Sequence, residues 1–276
     1  LNAHLLLAEV TRRLELNPAF FDSAAGEVSF PPTLLLGGDL KQRYNVSTPT
    51  VAWGFFNVFT LAASPKVMMH KLQVLCEEAM VAALNKHRQS VKAWEETAGK
   101  SLNVVEWQPQ VWTFAELWEQ AYAAHGEELV KNINTLTKRL QECDTDLQRL
   151  TLEIIHETHR HCPNREPKIV IALAPPYYPH IRNRRETEKE LHVMQAVGEL
   201  QAYAESLGVD LKHEEFYLGI SDSSYVMLQD AGEVAEVIEH NCPTWGSAYH
   251  LPVEDLSMID APAVTMGAFG RDIHKF

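Results

Sequence analysis

A chain of 276 residues, 46% hydrophobic and 22% charged, has the material for one large core or two ordinary ones and lacks the composition of a disordered or fibrous protein. Its 37 acidic residues against 24 basic ones leave a formal charge of -13, which excludes the basic footprint of a nucleic-acid-binding surface and docking on anionic lipid. No apolar run approaches the roughly 20 residues that cross a bilayer, the opening Leu1-Asn-Ala-His has no leader pattern, and Cys76, Cys143, Cys162 and Cys242 stand too far apart for a Cys-x-x-Cys site, so the expectation is a cytoplasmic protein with no membrane contact.

The first predicted element is a helix capped by Asn2, with Ala3, Leu6, Leu7, Val10 and Leu14 as its apolar face and Asn17-Pro18 as its stop. Val28 to Leu36 reads as a strand interrupted by Pro31-Pro32 and closed by a Gly37-Gly38 turn. A polar link leads to Asn45-Val-Ser-Thr-Pro49 and a β-rich run to Phe59. Ser64-Pro65 opens a second helix, with proline where a backbone N–H is not needed, and its stripe is Met68, Leu72, Leu75, Cys76, Ala79 and Ala83. A third strand is expected over Asn103 to Thr113.

Thr113 and Glu116 have capping-box spacing, and Leu129, Ile133, Leu136 and Leu140 repeat at the helical period. Another helix is expected from about Asp144 to Arg160. Lys168 to Ala174 reads as a fourth strand, stopped by Pro175-Pro176. Apolar helix stripes need a sheet to cover, so the expectation is an α/β chain whose first unit, residues 1–182, is α+β: two layers, a mostly antiparallel four-stranded sheet, and a helical insert over about 114–165.

Arg182 to Arg185 is a basic hinge candidate. A helix then runs from about Thr187 to Leu207 and ends at Gly208, the residue type that tolerates a left-handed cap. Two segments follow in which a strand, a glycine and a polar cluster come in succession. One is Phe216-Tyr-Leu-Gly219-Ile-Ser-Asp222-Ser-Ser-Tyr225; the other runs from Ala263 to Met266, past Gly267 and Gly270, to His274 between Asp272 and Lys275. Residues 183–276 thus read as half of a βαβ-type domain. Clusters at strand ends are where open α/β sheets bind ligands, and an imidazole beside a carboxylate can hold metal or move a proton. The plain alternative for His274 is a surface histidine in a polar tail.

Gly219-Ile-Ser-Asp222 and Gly267-Ala-Phe-Gly270-Arg-Asp-Ile-His274 together resemble the end of the two-zinc amidohydrolases and exopeptidases that include aminoacylase, acetylornithine deacetylase and succinyl-diaminopimelate desuccinylase. With Asn241-Cys-Pro-Thr-Trp-Gly246 between them, the wording is most similar to RocB-type arginine-utilisation proteins. The resemblance implies that His274 is a ligand to one of two zinc ions. It also implies that residues 1–182 are the family's lid, through which a homodimer would form, and that 183–276 are the C-terminal part of its catalytic domain. The substrate class implied is an N-acyl amino acid or small peptide. Asn45, Ser221, Asp222 and Asn241, on the matching segments, are the candidate substrate-binding residues. Asp222 has a second reading as a turn cap with Ser221 and Ser223.

The chain departs from the family in three places. The strand expected to carry a carboxylate-binding arginine reads Trp53-Gly-Phe-Phe-Asn57, the helical stretch 114–165 is longer than a minimal lid needs, and no His-x-Asp occurs. The Glu-Glu pairs at 77–78, 95–96, 127–128 and 214–215 lie in charged helical or pre-strand contexts and read as solvated faces. The general base is therefore expected upstream of this chain, which also lacks an initial methionine and so reads as a segment of a longer protein. His156-Glu-Thr-His159-Arg-His161-Cys162 has metal-binding residue types, set against a polar helix end as the plain reading. It is not the His-Glu-x-x-His of metalloproteases. Trp107, Trp112, Phe114 and Trp118 fit core packing between a strand and a helix, against a ligand cage. Three functions remain: a segment of a zinc-dependent amidohydrolase, a dimerisation or interaction module without chemistry, and a family member that binds an amino-acid derivative without cleaving it.

Overall fold

The helix boundaries follow local chemistry closely. Helix α1 (Ala3–Leu14) starts where the Asn2 side chain accepts the N–H of His4, and Asn17 caps a short 3-10 turn over Pro18–Phe20. Helix α2 (Pro65–Ala98) begins under a Ser64 cap with Pro65 in its first turn. Helix α3 (Phe114–His125) has the full Thr113/Glu116 capping box. Helices α4 (Glu127–Glu142) and α5 (Leu147–His161) complete the helical insert, with Asp146 capping α5. Helix α6 (Glu188–Ser206) has a second capping box, Thr187/Glu190, and closes through Gly208, whose φ of 72° is open to glycine at no steric cost. Helices α7 (Ala231–Asn241) and α8 (Val253–Ile259) follow. This computed structural model describes residues 1–41, 43–217, 219–259 and 261–266.

The strands depart from expectation in pairing more than in place. Strands β1 (Ser23–Ala24) and β2 (Glu27–Val28) form a small hairpin. The four expected strand segments all hold strands: β3 (Thr33–Asp39), β4 (Ala52–Asn57), β5 (Val111–Thr113) and β6 (Ile169–Ile171). Among the described residues they do not join into one four-stranded sheet. β3 pairs antiparallel with β4, and β5 pairs parallel with β6, as separate two-stranded ribbons. Part of the reason is proline: β3 starts only after Pro31-Pro32, and β5 is reduced to three residues after Pro109, since proline gives the ladder no donor.

Gly37-Gly38 is likewise not a turn. The two glycines pair with Gly54 and Trp53 inside the β3–β4 ladder, which continues to Asp39 opposite Ala52. Gly54 is required by close approach, because a Cβ there would stand 3.1 Å from a methyl of Leu7 on α1 and 3.0 Å from the Phe56 ring. The strands expected at Phe216-Tyr217 before Gly219 and over Ala263 to Met266 have no strand assignment among the described residues.

With 51% of the structure helical and 10% strand, helices supply most of the core. α1 and α2 pack together over Leu14, Met68, Leu75 and Cys76, and Leu6, Met80, Ala83 and Leu84 extend that layer. The helical insert encloses its own cluster, Leu117, Ala121, Leu129, Leu150 and Ile154, all inaccessible to solvent, backed by Val170 and Ala172 at β6. Phe114 and Trp118 join it with ring centroids 6.1 Å apart, so these aromatics are core. A third cluster joins α7 and α8 through Val234, Ile238, Leu251 and Leu256.

Leu150 is fully buried at the centre of the insert. Leu150→Ala is expected to destabilise the protein by about 2–5 kcal/mol, because the rigid cluster cannot collapse onto the cavity. Urea unfolding followed by far-UV circular dichroism measures it, and a loss below about 1 kcal/mol would show that the insert repacks freely.

Candidate functional site

The site is assembled around one carboxylate. Asp22 Oδ2 accepts the N–H groups of Leu61 at 2.7 Å, Ala62 at 2.8 Å and Ala63 at 2.7 Å, fixing the chain just before α2. Burial pushes its pKa up, but the N–H groups of Ala62, Ala63, Leu61 and Ser23 outweigh that and hold the carboxyl below its ordinary value. The next residue back, Thr60, bonds through Oγ1 to His180 Nδ1 at 3.0 Å. Burial lowers the pKa of His180, against the opposing pull of Asp22 and Asp230, so the imidazole is neutral near pH 7.

His180 sits on a strap over residues 174–184 that is pinned along its length. Tyr177 N–H donates to Tyr249 Oη at 3.1 Å, and Tyr225 Oη donates to the Tyr177 carbonyl at 2.9 Å. Gln229 donates to the Arg182 carbonyl at 3.0 Å, Asn183 Nδ2 to the Ala263 carbonyl at 2.9 Å, and Arg184 N–H to Glu190 at 2.7 Å. Three prolines in Pro175-Pro-Tyr-Tyr-Pro179 stiffen the stretch further.

Strap, β4 and α5 wall a cleft of about 1560 Å³. Its apolar lining includes Trp53, Phe55 and Phe56 of β4, with Trp53 and Phe55 on one face of the strand and Phe56 on the face turned to α1. The lining also includes Gln148, His156 and His159 of α5, β6, the strap, residues 210–217 and 219–221, and Met266. This is larger than a drug-sized pocket, which is typically about 300–1,000 Å³. Burial lowers His159 to about 4, helped by the charges of Lys168 and Arg165, and burial also lowers His156. The cleft therefore presents neutral imidazoles near pH 7. These can donate or accept a hydrogen bond and can take a proton.

The residues singled out from sequence are distributed unevenly around the cleft. Ser221 lines it, but its hydroxyl accepts the Ser223 N–H and bonds the Ser223 hydroxyl at 2.7 Å, capping the 3-10 turn Asp222–Val226. Asp222 opens that turn and is exposed. Asn45 lies on the exposed connection between β3 and β4, where its Oδ1 accepts from the Ser47 N–H and hydroxyl. Asn241 is a junction: Oδ1 accepts from Ala115 N–H at 3.4 Å, Nδ2 donates to the Val237 carbonyl, and its carbonyl accepts from Leu173 N–H at 2.8 Å. His274, with Gly267 and Gly270, lies outside the described residues. His156 and His159 share the cleft face of α5, while Cys162 is buried in the insert core. Among the described residues no three His, Cys, Asp or Glu side chains come together as a metal site.

Of the Glu-Glu pairs, 77–78 and 127–128 are exposed, and Glu215 is bonded through both oxygens to Arg185. Sequence reading missed His180, whose partner Thr60 is 120 residues away, and Asp22. The available signal was the proline-rich strap itself, a rigid segment before a basic run.

No protein-family model matches the chain, and no solved structure matches it. Two curated proteins of Bacillus subtilis (strain 168) do. The chain is 28% identical over 279 residues to the uncharacterized protein YqjN and 25% identical over 280 residues to protein RocB. Each alignment takes in the whole chain and 49% or 48% of the relative, so the chain spans about half the length of the curated relatives it matches.

Cleft burial sets an acid sensitivity. The unfolded chain protonates His159 near its ordinary 6.5, whereas the folded chain does so only near 4, so stability is full above about 6.5 and falls as pH drops towards 4. His156 and His180, also lowered, act in the same direction. Urea midpoints measured between pH 7.5 and 4.5 are expected to fall, and His159→Gln is expected to flatten that fall. An unchanged slope in His159→Gln would contradict a neutral, desolvated His159.

Proposed function

We propose that this chain belongs to a metal-dependent hydrolase that cleaves the amide bond of an N-acyl amino acid or small peptide, in the context of arginine utilisation. The observation that carries the reading is the likeness to RocB along the entire chain, together with the resemblance of the Gly219-Ile-Ser-Asp222 and Gly267 to His274 segments to two-zinc amidohydrolases. In this reading residues 1–182 are the lid and 183–276 the C-terminal part of the catalytic domain, within a cytoplasmic protein. Among the described residues, no helix is long and apolar enough to cross a membrane.

The described residues do not themselves fit a zinc site, since catalytic zinc usually takes about three protein ligands. In the proposal His274 supplies one ligand to one of two zinc ions, and the general base and other ligands lie outside this chain. When bound, the metal would polarise the scissile carbonyl and activate water. What this chain's described residues supply is binding and shelter. The aromatic wall of β4 excludes water from an acyl group, and the neutral His180, positioned by Thr60, offers a ring nitrogen to a polar substrate atom. Asn45, Ser221, Asp222 and Asn241 remain the proposed substrate-side polar residues. Ser221 is the one that lines the cleft.

Pairing through the lid is the proposed assembly. The motif for it is the two-stranded β3–β4 ribbon, whose β3 leaves Leu35 and Leu36 exposed and whose edges have no further strand among the described residues. Sedimentation at tens of micromolar is expected to show a dimer, as an interface of about 1,600 Å² would give. A strict monomer there would remove the lid-pairing part of the reading.

A second reading, a binding module without chemistry, is favoured by the absence of a three-ligand cluster among the described residues. Hydrolysis assays of the full-length protein with added zinc, over a panel of N-acyl amino acids, separate the two. Turnover is expected, and His274→Ala is expected to lose zinc content and turnover together while His156→Ala and His159→Ala keep both. A full-length His274→Ala protein that retains both metals and its turnover would overturn the assignment.

A further inference from the structure

The two ribbons share one layer of helix but not a ladder. Leu14, Met68 and Leu75 of α1 and α2 form one cluster with Phe56 from the β4 side and with Ile169 and Leu173 from the β6 side, yet β4 and β6 do not pair. Between them the cleft meets both strands edge-on. Successive side chains of a strand alternate, so a cleft facing one side of it would be lined by every second residue. Here every residue from Thr50 to Leu61 and from Arg165 to Asn183 lines the cleft, while β3 contributes Leu35 alone and β5 nothing.

Both facing edges carry free backbone groups. Ile169 N–H bonds the Gln110 carbonyl and Leu173 N–H bonds the Asn241 carbonyl, so the odd-numbered residues of this stretch point their backbone groups to the β5 side. Val170 and Ala172 point theirs to the cleft, where no described residue takes them. On β4, alternate residues bond β3, and none of Ala52–Asn57 has a backbone bond outside that ladder among the described residues. Under the gap, Leu7 and Val10 of α1 and Leu72 of α2 line the cleft and are only half-buried, which is how apolar helix positions stand when the sheet above them is incomplete.

We propose that the gap between β4 and β6 seats one extended strand of the longer polypeptide, hydrogen-bonded to both edges and apolar on the side turned to α1 and α2. An extended main chain is the partner that matches two facing rows of N–H and C=O groups, along the roughly 20 Å that the 6 residues of β4 span. Its source is a segment outside these residues: the curated relatives run to about twice the length of the part that matches, and a tethered strand meets the gap at a high effective concentration that a free peptide lacks. Such a strand covers Leu7, Val10 and Leu72 and joins the two ribbons into one sheet. It leaves the strap, and Trp53 and Phe55 on the face of β4 turned from α1, to a small-molecule ligand, and the outer edge of β3 to pairing between copies. None of this rests on the hydrolase reading.

Residue-resolved hydrogen exchange on the full-length protein reads the edge. The Val170 and Ala172 amides are expected to exchange within about tenfold of Ile169 and Ile171, whose N–H groups face β5; at an edge open to water they would exchange on the order of a hundredfold faster. The occupant is identified in the same protein with p-benzoylphenylalanine in place of Leu72 or Val10, using whichever variant keeps the wild-type melting temperature, by irradiation and peptide mass spectrometry. A cross-link within one molecule to a single segment outside these 276 residues is expected. Fast exchange at Val170 and Ala172 in the full-length protein would overturn the proposal whether or not either variant folds. A cross-link that joins two molecules, or one confined to these residues, would overturn it as well. Zinc content and turnover, which test the hydrolase reading, do not enter this result.

Discussion

A single carboxylate oxygen that accepts three successive backbone N–H groups is a strong constraint on a protein of this kind. Asp22 Oδ2 does this for Leu61, Ala62 and Ala63, and three charge-assisted bonds outweigh the cost of burying the charge. The clamp decides where α2 begins, and Ser64 then caps that helix. It also places Thr60, and through Thr60 the ring of His180. The longest helix and the polar wall of the cleft thus depend on one side chain from an irregular segment near the start of the chain. The Ser29 hydroxyl, bonding the Asp22 N–H, keeps that segment in place.

The cleft is a consequence of how the strands pair. Two ribbons of two strands cannot cover two layers of helix as a single four-stranded sheet would, and an apolar face of β4 is left looking across at β6 and the strap. The helices compensate. α1 closes on β4 over Gly54, and the insert α3–α5 builds a core that needs only the short β6 behind it. A wall made from helix and strap can present histidines that burial holds neutral, and a strap held by Gln229, Tyr225 and Tyr249 can position side chains with little loss of ordering entropy on binding.

Local chemistry was legible in the sequence, and pairing over distance was not. Asn2, Ser64-Pro65, Thr113 with Glu116, Thr187 and Gly208 each mark a helix end, because a cap is settled by residues within one turn of it. Met68, Leu75, Cys76, Ala79 and Ala83 of the α2 stripe are buried as its period indicates, with Leu72 half-buried against them. Gly37-Gly38 reads as a turn because glycine breaks strands in isolation, yet Gly54 and Trp53 opposite them make a strand of it. The parallel register of Val111 with Ile169 joins segments 58 residues apart and has no local mark. The site divides in the same way. Ser221 and the strap's basic run stand out along the chain. Asn241 reveals itself as a junction only when Ala115 and Leu173 are beside it, and His180 gains its meaning from Thr60.

The central claim is that the cleft between β4, α5 and the strap is where this chain meets a small-molecule ligand. Side-chain nitrogen chemical shifts of the histidines, followed by NMR during titration with N-acetyl-L-arginine, test it most directly. The account predicts saturable shifts at His180 and at His159, both in the cleft, and unmoved signals from His4 and His70, which do not line it. Shifts confined to histidines outside the cleft, with His180 and His159 unmoved at saturation, would contradict it.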